Sequence, residues 1–211
     1  MRLPHVVWDM GGILFRYFTE VLLEMGAERG WPVDRIPLGP TGGLPDPEYQ
    51  LMQAGDIDEP LYRQIVVDRL RGAGVGEDPT LAIDWPHEQR PETWEAVRVI
   101  HAAGHRQAVL TNDASRWLGP GWWESWEPAR WFDAMVDVDT VGVRKPAAAP
   151  YLAAADALGA DPATCLFVDD MPVNCRGAEA AGMDSLWFDV LAPAESIAKL
   201  LATLGLAVEE G

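Results

Sequence analysis

The chain has 211 residues, 48% apolar and 23% charged, with 33 acidic against 16 basic side chains and a formal net charge of -17. That length suits one domain, or one core domain with a modest insert, and is ample for a buried core. No run of about 18 apolar residues is present to span a bilayer, and no basic stripe is present to bind nucleic acid or an acidic membrane surface.

The first residues run straight into the apolar His5-Val6-Val7-Trp8 without the apolar stretch of a signal peptide, so the chain reads as cytoplasmic. That run predicts a buried strand, closed by a tight turn at Asp9-Met10-Gly11-Gly12. From about Tyr17 to Gln89 the pattern is helical, over residues 19–29, 47–54 and 59–71, with a Pro- and Gly-rich stretch at 37–45. A helix over 91–103 opens with Pro91, carries Glu92 in its first turn and stops before Gly104. Gln107-Ala108-Val109-Leu110 reads as a second strand, ending at Thr111-Asn112-Asp113. Tryptophan is then dense, at Trp117, Trp122, Trp123, Trp126 and Trp131. Loop packing against the core is the favoured reading; an aromatic wall beside a site and a partner interface are the alternatives. Ala134-Met135-Val136 leads to Asp137, Cys165-Leu166-Phe167-Val168 leads to Asp169-Asp170, and Ser185-Leu186-Trp187-Phe188 completes five short strands. Helices over 146–158, 172–181 and 193–204 separate or follow them, the first two stopping at Gly159 and Gly182 and the third at Gly205. Short apolar strands alternating with helices predict an α/β doubly wound, Rossmann-like parallel sheet. Residues 1–16 and 90–211 would form this core, and residues 17–89 a helical insert after the first strand.

Asp9, Thr111 and the Asp169-Asp170 pair then all fall at the C-terminal ends of parallel strands, the edge where open α/β sheets bind ligands. A carboxylate there can serve as nucleophile or metal ligand, a hydroxyl can hold an anionic oxygen, and an acidic pair suits a hard cation such as Mg²⁺. Asp169 and Asp170 can instead cap the following helix. Only Lys145 and Lys199 among the 16 basic residues are lysines, and Lys145 could steady a nucleophile and an anion together. Cys165 and Cys175 are too few for a disulfide framework and read as core residues. His5, His87, His101 and His105 lack paired metal spacing and read as structural or surface residues, and Trp8 reads as core.

Four segments in order resemble the four motifs of the haloacid dehalogenase-like superfamily. They are Val6-Val7-Trp8-Asp9-Met10-Gly11-Gly12-Ile13-Leu14; Leu110-Thr111-Asn112; Gly142-Val143-Arg144-Lys145-Pro146 with Tyr151; and Phe167-Val168-Asp169-Asp170-Met171-Pro172-Val173-Asn174, continuing through Gly177-Ala178 to Ala181-Gly182-Met183. The helical insert resembles the small cap of one branch, and within it the chain looks most like sugar-phosphate phosphatases and the phosphatase domain of epoxide hydrolases. The resemblance implies that Asp9 attacks phosphorus and forms an aspartyl-phosphate. Thr111 and the backbone at Asn112 and Gly12 would hold the phosphoryl oxygens, and Lys145 would neutralise charge. Mg²⁺ would sit on Asp9, the Gly11 carbonyl and Asp170, supported by Asp169 and Asn174.

One position departs from the pattern. Most phosphatases of the superfamily carry a second Asp two residues after the nucleophile, as general acid/base, where this chain has Gly11. Asp113, Asp46 and Asp56 are candidate substitutes. Three functions therefore stand: a Mg²⁺-dependent phosphatase on a small phosphorylated metabolite, a 2-haloacid dehalogenase using Asp9, or a binding module without turnover. The oligomeric state, monomer or homodimer, is left open.

Overall fold

The computed structural model describes residues 4–206 except 77, 113 and 120. In chain order its strands and α-helices are β1 (His5–Trp8), α1 (Phe18–Arg29), α2 (Pro47–Ala54), α3 (Glu59–Gly72), α4 (Pro91–Ala102), β2 (Gln107–Thr111), α5 (Ala114–Leu118), α6 (Trp122–Ser125), β3 (Ala134–Asp137), α7 (Val138–Val141), α8 (Ala148–Ala157), β4 (Cys165–Asp169), α9 (Pro172–Ala180), β5 (Asp184–Trp187) and α10 (Pro193–Thr203). They group into two compact units. One runs to Phe15 and resumes at Gln89; the other is Arg16–Glu88.

The first unit is built on a five-stranded sheet in the order β3-β2-β1-β4-β5. Every pairing is parallel. Strands β1, β2 and β4 are buried nearly throughout, which is why they read as unbroken apolar runs rather than alternating ones. On one face, Val7, Ala108, Leu110 and Phe167 pack with Tyr151, Ala154 and Leu158 around α8 and with Ala178 of α9. Trp8 is fully buried as expected, its indole donating to Gln107 Oε1 at 2.9 Å. Both cysteines are buried free thiols. The chain leaves β1 for β2 on one side and returns to β4 on the other, so the order reverses beside β1. Such a reversal opens a crevice at the carboxyl ends of the strands.

The second unit is helical. Asp58 caps α3 through Leu61 N at 2.9 Å. Asp46 caps α2 through Tyr49 N at 3.2 Å, and its other oxygen accepts from Gly39 N, Tyr62 Oη and Arg69 Nη1 at 3.0, 2.8 and 3.0 Å. Tyr17, Phe18, Tyr49 and Tyr62 pack edge-on or tilted around that hub.

Most elements differ from the sequence expectation by a residue at one bound or both, and two differences bear on the local structure. Helix α8 begins at Ala148, not at residue 146. The Lys145 N–H is taken by Asn112 Oδ1 and the Ala147 N–H by Arg144 O, so residues 144–147 form a turn. Strand β5 runs Asp184–Trp187, one residue earlier than expected, its register fixed by Asp169 opposite Trp187. Sequence periodicity also missed the short α5, α6 and α7, which are too brief to show a helical repeat. Among the described residues no helix is long and apolar enough to cross a membrane.

Candidate active site

Register brings the predicted polar residues to one edge of the sheet. Trp8 pairs with Val109 on one side and Val168 on the other, so Asp9 lies level with the ends of β2 and β4. The Asp9 N–H closes the ladder on Val168 O at 2.9 Å. Thr111 ends β2, buried and opposite Asp137.

Lys145 is the centre of the arrangement. Its side chain is 1% exposed, and its Nζ lies 2.5 Å from Asp9 Oδ1 and 3.0 Å from Asp169 Oδ2. The third N–H faces Leu110 O at 3.3 Å, and the Phe167 ring lies 5.2 Å from the ammonium. Asp169 is saturated: its oxygens accept from Lys145 Nζ, from Asn174 Nδ2 at 3.2 and 3.0 Å, and from Met171 N at 2.7 Å. The last bond is an Asx turn ahead of α9. The N-cap of α9 is Met171, without a side-chain cap bond, so neither Asp169 nor Asp170 caps that helix and the site-building reading of Asp169 stands. Asn174 in turn is fixed through its carbonyl, which accepts from Tyr151 Oη at 2.8 Å.

One oxygen each of Asp9, Asp169 and Asp170 lies within 4.8 Å of the others. Three gathered carboxylate oxygens form a hard, anionic donor set of the kind a divalent cation uses. Gly12 sits against this set with φ +75°, and a Cβ there would come 2.9 Å from the Asp170 carboxyl carbon. Both the left-handed backbone and the close approach call for glycine. Gly11 is different: it is exposed, and a Cβ there would meet nothing within 4 Å.

Charge in this pocket is finely opposed. Burial pushes the Asp9 carboxyl up to about 7, with Lys145 opposing the rise and Asp169 adding to it. Burial would lower the Lys145 ammonium, but Asp169 and Asp9 outweigh that and hold it well above its ordinary value. The ammonium is therefore held firmly in its charged form.

Three contributors escaped the sequence reading. The Asn112 side chain holds the Lys145 backbone at 3.0 Å. Arg90, buried, donates from Nε to Gly12 O at 3.0 Å. The Trp187 indole donates to Asp170 O at 2.8 Å. Asn112 lies in the second motif and was read only for its backbone, whereas Arg90 and Trp187 lie in no motif.

Of the candidate general acids, Asp46 is bound up within the helical unit, Asp56 is exposed, and Asp113 lies outside the described residues. The tryptophans pack among themselves. Trp126 lies 5.4 Å from Phe15, 5.2 Å from Trp94, 5.3 Å from Trp122 and 5.7 Å from Trp123. Trp131 meets His101 edge-on, and the Trp117 side chain lies outside the described residues. This is the loop-packing reading. His105 is buried, its Nδ1 2.7 Å from Pro4 O, and His87 is exposed beside Asp84.

The haloacid dehalogenase-like hydrolase family matches residues 5–182. The chain belongs to this family. The phosphoglycolate phosphatase of Salmonella typhimurium is 31% identical to this haloacid dehalogenase-like hydrolase over 136 residues, 62% of this chain and 50% of that protein. Flavin mononucleotide hydrolase 1 of Arabidopsis thaliana is 42% identical over 67 residues, 32% of this chain and 26% of that protein. The chain thus spans between about a quarter and a half of the length of these curated relatives. In fold, the crystal structure of an L-2-haloacid dehalogenase superposes with a TM-score of 0.63 at 22% identity, covering 97% of this chain and all of the other.

Proposed function

We propose that this hydrolase is a Mg²⁺-dependent phosphatase that cleaves a small phosphomonoester in the cytoplasm through an aspartyl-phosphate on Asp9. The observation that carries the reading is the gathering of Asp9, Asp169 and Asp170 around a buried Lys145. Such a set suits a cation that in turn accepts phosphate. It suits a bare carboxylate substrate poorly, because like charges at close range repel. The similarity to a phosphoglycolate phosphatase and a flavin mononucleotide hydrolase points the same way.

The donor chemistry fits Mg²⁺, which would be held by Asp9, the Gly11 carbonyl and Asp170, with Asp169 and Asn174 in support. Bound there, it would supply charge neutralisation between an anionic nucleophile and an anionic ester. The chain's own residues do the rest. Asp9 presents its free oxygen to phosphorus while Lys145 holds the other. Thr111 and the backbone N–H groups at Asn112 and Gly12 receive the phosphoryl oxygens. Asn112 keeps Lys145 in place through its side chain, leaving its backbone for substrate. The unit Arg16–Glu88 would act as the cap that selects the leaving group.

A panel of sugar phosphates, nucleoside monophosphates and other phosphate esters, assayed with Mg²⁺, tests this. Wild-type protein is expected to release phosphate, and Asp9→Asn to release none. Equal release by both would remove Asp9 from the mechanism. Dehalogenation of a 2-haloacid that persists in excess EDTA would favour the alternative chemistry, and ester binding without release would favour a binding module.

A further inference from the structure

The proposed phosphatase needs a proton at the leaving oxygen whenever that oxygen belongs to an ordinary alcohol. Among the described residues, the groups around Asp9 do not offer one. Lys145 has three N–H bonds and three acceptors already in place, Asp9 Oδ1, Asp169 Oδ2 and Leu110 O. Asp169 has both oxygens engaged as acceptors of N–H groups. Asp9 is the nucleophile itself, and Asp170 belongs to the cation set. Positions 11 and 12 of the turn are glycines, with open space at Gly11 where a side chain would stand.

We infer that the site is built for phosphate esters whose leaving group departs as an anion: phosphorylated phenols, enols, carboxylic acids or hemiacetal oxygens, in preference to simple alkyl esters. This rests on the phosphatase reading and names its substrate class. In the first step a bond forms between Asp9 Oδ and phosphorus, and the phosphorus–oxygen bond to the leaving group breaks. The electron pair stays on the departing oxygen, which needs no proton if its parent is acidic. In the second step water attacks phosphorus and the Asp9–phosphorus link breaks. Asp9 returns as carboxylate, and both water protons leave on the phosphate, one kept by the attacking oxygen and one passed to a phosphoryl oxygen, so that it is released as dihydrogen phosphate. Neither step calls on a side chain at position 11. General acid catalysis contributes about 10²–10⁴-fold where it operates, so its absence sets the size of the expected discrimination.

The test is a leaving-group series on the purified full chain with Mg²⁺: para-nitrophenyl, phenyl and glycerol phosphates, compared by kcat/KM, which reports the first, bond-breaking step. The wild type is expected to fall by about 10²–10⁴-fold from the most to the least acidic leaving group. Gly11→Asp places a carboxyl in the open space and is expected to flatten the series, mainly by raising the glycerol phosphate rate. Thermal melting of the variant beside wild type checks that it folds. A flat wild-type series with turnover still dependent on Asp9 overturns the inference and leaves the phosphatase reading standing. A flat series that becomes steep in Asp113→Asn overturns it too, and identifies Asp113 as the acid. Phosphate release from none of the three esters overturns both.

Discussion

Lys145 carries two duties that pull in the same direction. Its ammonium separates Asp9 from Asp169, and it is almost wholly buried. Replacing it by Met leaves two carboxylates facing each other out of water, a situation that typically costs about 3–5 kcal/mol. Lys145→Met is therefore expected to lower the urea midpoint strongly in metal-free buffer, and to lose at least about 10²-fold in kcat as a missing electrostatic stabiliser. The double variant Lys145→Met/Asp169→Asn should recover much of the stability and none of the activity; recovery of both would mean that the lysine is structural alone. Rarity of lysine made this residue legible in the sequence. Its holder Asn112 was legible only as a backbone contributor, because the side-chain bond joins the end of one strand to a turn 33 residues away. Arg90 and Trp187 were not legible at all. Each acts by donating to a backbone carbonyl, and such a contact leaves no residue-type signature on the partner.

At the scale of elements, Asp46 shows how one residue organises a helical unit. It caps α2 and also ties down Gly39, Tyr62 and Arg69. Burial alone would raise its carboxyl, but the bonds from Arg69, Gly39 and Tyr62 outweigh that and hold it below the usual carboxylate range. Because the folded value lies below the unfolded one, near about 4, the stabilisation is complete above that pH and is lost as pH falls through the folded value. Asp46→Ala, which strands the buried Tyr62 hydroxyl and part of the half-buried Arg69 guanidinium, is expected to cost about 2–3 kcal/mol at neutral pH. Circular dichroism melts of wild type and variant should converge as pH drops below about 4; a gap that stays constant into acid would show that the charge of Asp46 is immaterial. Helices α1, α2 and α3 were readable from their terminal residues: Pro47 and Asp46, Asp58 and Glu59, Gly30 and Gly55 mark their ends. The turn at 144–147 was not, because Pro146 and Pro150 also satisfy the pattern of a helix start, and the choice is made by Asn112 from a distant strand.

For the whole molecule the net charge of -17 is the governing quantity. A phosphate ester approaches a field of its own sign, so local positive charge must do the binding. Salt screens the long-range repulsion, with a Debye length of about 10 Å at 0.1 M, more effectively than it weakens buried contacts. KM for an anionic ester is accordingly expected to fall as NaCl rises from about 0.01 to 0.1 M, with kcat little changed; a KM that rises with salt would place a cationic surface at the site entrance. The parallel sheet was legible because each strand is short, apolar and followed by a polar turn. The order of its strands was not legible, since hydrophobic pattern contains no information about which strand lies beside which.

The packed tryptophans give the protein an optical property. Eight of its ten tryptophans fall outside Arg16–Glu88, and Trp94, Trp122, Trp123 and Trp126 crowd against one another beside Phe15, six residues beyond Asp9. Rings so close share their excitation, and near-ultraviolet circular dichroism survives only while such packing is fixed. Its tryptophan bands come mostly from the α/β unit, whereas the packed Tyr17, Tyr49 and Tyr62 give the helical unit tyrosine bands of its own. Recording both during one melt gives each unit its own spectroscopic signature without adding a label.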